Sequence, residues 1–159
     1  MRLAAFFTAF IAISLLALSA NIFFTGLAPR TEHALGSSAT IMSPADRIQK
    51  SQIGVYPDKA IIEVQGLKWA NVSATNSMLP VLGTGAHALQ VVPRSANEIQ
   101  TGDIVSYKYE GRIIIHRVIE IGRDELGWYA ITKGDNNPEP DPAPVRFSQI
   151  DRVLVGIIY

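Results

Sequence analysis

From Ala60 onward, short runs rich in β-branched residues alternate with turn residues, and this alternation limits the possible folds more than any other feature of the chain. Runs of this kind, separated by Gly, Pro and Asn, are typical of antiparallel strands. Glu110-Gly111 lies between two of them and predicts a hairpin turn. The predicted strands are residues 61–64, 88–92, 103–109, 112–121, 127–132 and 152–158. We therefore predict a mostly β, antiparallel domain that is curled or barrel-like.

The first 28 residues predict one N-terminal transmembrane helix. No charged residue occurs from residue 3 to residue 28. At about 1.5 Å per residue, this run can cross a hydrocarbon core of about 30 Å. A retained anchor is favoured over a signal peptide cleaved after Ala17 or Ala20, because the apolar character continues through Phe24. Arg2 biases the N-terminus to the cytoplasm and places the rest of the chain on the extracytoplasmic side.

Residues 29–58 are predicted to be a spacer that contains one short helix. Ser43 can cap that helix, Pro44 suits its first turn, and Asp46 stands where a capping-box carboxylate belongs. The helix is expected to end at about Gln52. The β-rich domain then occupies residues 59–159.

The composition excludes several classes of function. The formal net charge is zero, which argues against a nucleic-acid ligand. No cysteine is present, so a thiol nucleophile, disulfides and cysteine-rich zinc sites are ruled out. The histidines at positions 33, 87 and 116 form no His-x-x-x-His pair. We therefore expect neither a metal nor a cofactor.

Three polar residues have a pattern that suggests chemistry. Ser77 follows a turn-prone stretch and could be a nucleophile, provided that a base lies about 3 Å away. His116 lies in an apolar strand, on the face of Ile114 and Val118, and could be that base. Asp135 or Asp141 could orient the imidazole. Each residue also has an ordinary structural explanation: a turn serine, a packed histidine and turn aspartates. Their joint occurrence behind an apolar segment favours the catalytic interpretation.

Four segments of the chain have a distinctive composition. In order, they are Asn76-Ser77-Met78-Leu79-Pro80, Gly102-Asp103-Ile104-Val105-Ser106-Tyr107, Ile115-His116-Arg117-Val118-Ile119 and Thr132-Lys133-Gly134-Asp135-Asn136-Asn137. Together they resemble the type I signal peptidases, in particular the archaeal and endoplasmic-reticulum branch of these Ser-Met-x-Pro serine proteases. In the bacterial branch a lysine base stands before Arg-Val, and here that place holds His116.

The resemblance implies a role for each site residue. It makes Ser77 the nucleophile and His116 the general base. It implies that Asp141 orients the histidine, with Asp135 as a supporting acid. Thr75 matches the position whose hydroxyl helps the nucleophile's own N–H to bind the oxyanion. The family's largely antiparallel β domain at the membrane surface agrees with the predicted strands.

The leading hypothesis is a membrane-anchored serine endopeptidase, single-pass in the cell membrane with its catalytic domain on the extracytoplasmic side. It would cleave signal peptides or other exported precursors after small residues, so its partners would be those precursors and membrane lipid. The alternative is a catalytically inactive β-domain that acts as a binding module. A self-cleaving regulator is disfavoured, because no helix-turn-helix pattern is evident. A Ser77–His116 separation of about 3–4 Å would favour the protease.

Overall fold

A computed structural model describes residues 41–159. The predicted anchor, residues 1–28, and the first part of the predicted spacer lie outside the described residues. Within residues 41–159, no helix has both the length and the apolar character needed to cross a membrane. The predicted boundaries at residues 28 and 58 stay predictions.

Within the described residues, nine strands build two antiparallel sheets. The small sheet pairs β1 with β2, and the large sheet has the order β3-β4-β9-β5-β6-β7-β8. Three 3-10 helices, Lys50–Gln52, Ala96–Glu98 and Phe147–Gln149, connect the strands. The strands are β1 Ile53–Val55, β2 Ala60–Ile62, β3 Lys68–Asn71, β4 His87–Val91, β5 Ile104–Tyr109, β6 Arg112–Asp124, β7 Gly127–Lys133, β8 Val145–Arg146 and β9 Ile150–Ile158.

The prediction of a mostly β, antiparallel domain is confirmed, but the barrel-like closure is not found. In the described part of the chain the large sheet is open, with β3 and β8 at its two edges. The last strand, β9, lies inside the sheet between β4 and β5. Its apolar centre explains this position, because Val153 and Leu154 are buried on opposite faces.

The large sheet carries an apolar cluster on each face. One cluster contains Val105, Tyr107 and Val118, and the other contains Ile104 and Leu154. Neighbouring residues of one strand, such as Ile104 and Val105, contribute to different clusters because side chains alternate across a sheet. The connection between β3 and β4 covers the second face with Met78 and Leu82. This connection carries Ser77.

The predicted hairpin turn between β5 and β6 is present. Glu110 and Gly111 have φ values of 47° and 75°, the pair of positive angles that a type I′ turn requires. The turn fixes a register in which Tyr109 faces Arg112 and Val105 faces His116. The hairpin thus sets which side of the sheet the imidazole occupies.

The predicted helix start at Ser43 is not followed by an α-helix. Residues 41–49 contain no helix, and only the 3-10 turn Lys50–Gln52 occurs where the helix was expected to end. Distant groups bind this segment instead: the N–H of Ala45 donates to Asp103 Oδ1 at 3.0 Å, and Arg47 forms an ion pair with Asp103. A Cβ at Gly102 would overlap the carbonyl of Ser43, so only glycine permits this close approach.

Candidate active site

Ser77 is held at the edge of the core by the residue that follows it. Met78 is 2% exposed and belongs to the apolar cluster of the second face, whereas Ser77 is half-buried. Asn76 has a φ of 60°, and its carbonyl accepts a hydrogen bond from the N–H of Leu79 at 3.2 Å. The chain therefore turns sharply around Ser77, and the burial of Met78 fixes where the hydroxyl lies.

The turn after β7 packs against the Ser77 backbone. The N–H of Asn136 donates to the carbonyl of Ser77 at 2.8 Å, and its side-chain amide donates to the carbonyl of Asn76 at 3.1 Å. A Cβ at Gly134 would lie 2.7 Å from the Ser77 carbonyl oxygen. Only glycine therefore lets the two segments approach so closely, and this turn has a positioning role beyond reversing the chain.

His116 joins the serine to an acid. Its Nε2 lies 3.1 Å from Ser77 Oγ, and its Nδ1 lies 2.8 Å from Asp141 Oδ2. A carboxylate only accepts hydrogen bonds, so the proton of a neutral imidazole belongs on Nδ1. Nε2 is then the acceptor for the Ser77 hydroxyl. The three residues form one hydrogen-bonded series.

Asp141 is fixed by several donors besides the histidine. Its Oδ2 accepts from the Thr132 hydroxyl at 2.6 Å and from the Tyr107 hydroxyl at 2.7 Å. Its backbone N–H donates to the carbonyl of Thr132 at 2.8 Å, and prolines on both sides stiffen the loop. Burial would raise the pKa of Asp141, but the hydrogen bonds from His116, Thr132 and Tyr107 outweigh it and hold that pKa below its ordinary value. The carboxylate is therefore kept ionised.

Thr132 and Tyr107 are site residues to which the sequence reasoning gave no role. Both lie within segments that carry the family resemblance, and both are buried. Burial raises the pKa of the Tyr107 hydroxyl, so it stays a neutral donor. One signal could have identified Tyr107: it lies two residues from Val105 on β5, the partner of His116, so all three side chains share a face.

Asp135 does not contact His116. Its two carboxylate oxygens accept from Nε and Nη2 of Arg117, each at 2.7 Å. Arg117 also donates to the carbonyls of Gly102 at 2.8 Å and Met42 at 3.0 Å. The structure therefore brings Asp141, and not Asp135, to the imidazole.

Thr75 lies beside the serine hydroxyl. Its Oγ1 is 3.3 Å from Ser77 Oγ. Within residues 41–159, the N–H of Ser77 donates to no other group, so this donor is available. Two donors thus lie next to the oxygen that would attack a carbonyl, as stabilisation of an oxyanion requires.

A cleft of about 460 Å³ opens beside Ser77 and His116. Residues of β3, β4, β5 and β6 and of the β3–β4 connection form its walls. Among the described residues, no group of three or more His, Asp or Glu side chains is arranged to hold a metal ion. The cleft presents the Ser77 hydroxyl and the His116 imidazole, and Asp141 bonds to the far nitrogen of that ring.

A serine, a histidine and an aspartate joined in this way, next to the free N–H of the serine and a cleft, are the arrangement found in serine hydrolases. Over 83 residues the chain is 32% identical to signal peptidase I W of Bacillus subtilis (strain 168). The match covers 52% of this chain and 44% of that protein, so less than half of the relative is represented. No protein-family model matches the chain, and no solved structure matches it significantly. The similarity supports the type I signal peptidase family for this chain.

Proposed function

We propose that this chain is a membrane-anchored serine endopeptidase of the signal peptidase type, with Ser77 as nucleophile and His116 as general base. One observation carries the proposal: Ser77 Oγ lies 3.1 Å from Nε2 of an imidazole whose Nδ1 faces Asp141. The partial similarity to a signal peptidase I supports the same class of enzyme. The histidine before Arg117, where the bacterial branch has lysine, supports the archaeal and endoplasmic-reticulum branch.

The first step is attack on the substrate carbonyl. As Ser77 Oγ forms a bond to the carbonyl carbon, its proton moves to Nε2 of His116. The imidazolium formed carries a proton on both nitrogens, and the ionised Asp141 stabilises this positive charge through Nδ1. Because Thr132 and Tyr107 hold the carboxylate in place, the imidazole keeps one orientation throughout.

Negative charge then develops on the former carbonyl oxygen. The N–H of Ser77 and the hydroxyl of Thr75 are the donors that can meet it. When the tetrahedral intermediate collapses, the peptide C–N bond breaks and His116 gives its proton to the leaving amine. A water molecule, deprotonated by the same imidazole, next hydrolyses the acyl-enzyme and frees Ser77.

The substrate in this proposal is an exported precursor, cleaved after a small residue. An extended peptide fits a cleft whose walls are strands, since it can pair with an exposed strand edge. Residues 1–28 would hold the enzyme in the cell membrane, with the cleft on the extracytoplasmic side. Membrane lipid is then a partner of the anchor and not of the site.

The proposal is tested by incubating the purified full-length chain, in detergent, with a labelled precursor. We expect cleavage after a small residue, identified by mass spectrometry. Ser77→Ala and His116→Ala should each reduce the rate at least about 10⁴-fold without changing the circular dichroism spectrum. Full activity in folded Ser77→Ala would reject the mechanism.

The competing candidate is an inactive β-domain that acts as a binding module. Under this interpretation Ser77 is a turn residue and His116 is a packed core residue, and no contact between them is required. The 3.1 Å separation and the donors around Asp141 favour the peptidase. Peptide binding without any turnover by the wild-type chain would favour the binding module instead.

A further inference from the structure

The wall of the cleft contains two buried polar side chains among apolar ones. Gln90 on β4 and Ser106 on β5 both line the cleft, and each residue is 3% exposed. Their neighbours in the lining include Met78, Leu82 and Ala88. A cleft that only had to accept small apolar side chains would need neither polar group.

The sheet register brings Gln90 and Ser106 to the same face. Strand β9 lies between β4 and β5, with Leu154 opposite Gln90 and Arg152 opposite Ser106. Residues 152 and 154 point to the same side of β9, so their partners do as well. The pairing shifts just before Gln90 and just after Ser106. Such irregularities re-aim side chains and are common next to active sites.

Neither polar group has a strong partner of its own. Within residues 41–159, no hydrogen bond involves the Gln90 side chain, although it lines the cleft. The Ser106 hydroxyl reaches only the Arg152 carbonyl, at 3.5 Å, which is the weak limit for such a bond. The Gln90 amide is not among the buried atoms that lack a partner in the described residues, so it reaches the cleft, where a ligand can bond to it in place of water.

We propose that Gln90, assisted by Ser106, is a specificity-determining residue that selects a substrate with a serine or threonine hydroxyl near the cleaved bond. This inference rests on the peptidase function proposed above. A carboxamide both donates and accepts, and so does a hydroxyl, so the two are matched. An apolar substrate side chain would leave the amide unpaired, and a charged one would be buried without a counter-charge.

The test compares serine with 2-aminobutyrate, which has a methyl group in place of the hydroxyl. Peptides built on the cleavage region of an exported precursor carry one or the other at each position before the cut. The full-length chain in detergent should prefer serine at one position, by about tenfold in kcat/KM. Gln90→Met, similar in length, should bring this ratio to about one or reverse it. Equal ratios in wild type and Gln90→Met at every position would overturn the proposal.

Two controls separate specificity from folding. Gln100→Met changes an exposed glutamine away from the cleft and should leave the ratio unchanged. Gln90→Met should melt close to the wild-type temperature, because it breaks no hydrogen bond among the described residues and keeps a similar side-chain length. A marked loss of stability in Gln90→Met would mean that the amide is bonded within the fold, and it would contradict the proposal.

A binding assay keeps this inference separate from the catalytic one. The same peptides are titrated against Ser77→Ala and against Ser77→Ala/Gln90→Met by calorimetry. A serine preference that disappears with Gln90→Met supports the polar subsite even if the wild-type chain cleaves nothing, and then only the peptidase function fails. Equal affinity for both peptides, or no binding of either, overturns the subsite.

Discussion

Two adjacent residues of β6, His116 and Arg117, each meet an aspartate from the connection between β7 and β8, yet the two pairs have different surroundings. His116 lines the cleft and Asp141 bonds to the far nitrogen of its ring, with side chains 9% and 11% exposed. The side chains of Arg117 and Asp135 are more deeply buried, at 6% and 3% exposed. Because consecutive strand residues point to opposite faces, one strand supplies both pairs without bringing them together.

The partner of each carboxylate decides whether the pair can transfer a proton. Arginine is always protonated in proteins, so Arg117 and Asp135 form a fixed charge pair that also holds the carbonyls of Gly102 and Met42. Histidine can gain or lose a proton near neutrality, so only the pair of His116 and Asp141 can support proton transfer. We infer that Asp141 orients the base and that Asp135 holds the fold.

The largest expected effect is a loss of activity when Asp141, but not Asp135, is changed. Asp141→Asn should lower kcat/KM about 10⁴-fold, because an amide can donate to Nδ1 and reverse the imidazole tautomer. Precursor cleavage by the purified full-length variant measures this loss. Asp124→Asn is a matched control, since Asp124 pairs with Arg146 at a more exposed site. Activity within tenfold of wild type in Asp141→Asn would show that this carboxylate does not orient the base.

The second expected effect is a loss of stability when Asp135 is changed. Asp135→Asn should lower the free energy of unfolding by about 3–5 kcal/mol, because it leaves the buried Arg117 guanidinium without its counter-charge. Denaturant unfolding followed by tryptophan fluorescence measures this change. The kcat/KM of the folded fraction should stay within about tenfold of wild type. Arg117→Met/Asp135→Leu should be less destabilised than Asp135→Asn alone, since it removes both charges.

If Asp135→Asn instead loses activity as severely as Asp141→Asn while keeping its stability, the division of roles is wrong. Asp135 would then support the base across the sheet.

A smaller effect is expected from the donors that hold Asp141. Thr132→Val keeps the shape of a fully buried side chain but removes one hydrogen bond, so it should raise the pKa of Asp141 and lower kcat/KM about tenfold. Thr132→Ser keeps the hydroxyl and should retain more activity than Thr132→Val. Equal rates in Val and Ser variants would indicate that this donor does not position the acid.

The smallest effect is a pH dependence of stability. Hydrogen bonds from His116, Thr132 and Tyr107 hold the pKa of Asp141 in the folded state below its ordinary value, so in acid the unfolded chain binds more protons. The stability that Asp141 contributes is therefore complete above its unfolded pKa and is lost as pH falls through its folded pKa. The difference in unfolding free energy between wild type and Asp141→Asn should be level near neutrality and shrink in acid. A difference that grows in acid would contradict the lowered pKa.

The sequence predicted the long strands of the sheet well and its short strands poorly. The predicted hairpin of residues 103–121 and the last strand match β5, β6 and β9, each of which contains at least two consecutive buried residues. No prediction was made for β1, β3 or β8. The first and last of these are only three and two residues long. Strand β3 is an edge strand whose Trp69 is 60% exposed, so its sequence lacks the alternation of apolar and polar residues that predicts a strand.

The convergence of Ser77 and His116 was predictable because each residue has a distinctive setting along the chain, whereas only the family resemblance favoured Asp141 over Asp135. Their tertiary partners were not predictable, because they depend on strand order. The bond from Tyr107 to Asp141 requires that the β7–β8 connection return over β5, and the burial of Gln90 requires that β9 insert beside β4. Neither requirement can be deduced from the spacing of residues along the chain.

The backbone bond between Asp141 and Thr132 ties the acid to β7, the strand next to the short edge strand β8. The acid is therefore not carried by an independently fluctuating loop. Separating it from the imidazole breaks this backbone bond together with the side-chain bonds from Thr132 and Tyr107, and such openings are rarer than loop fraying. Amide hydrogen exchange at Asp141 should consequently be as slow as exchange within the neighbouring strands.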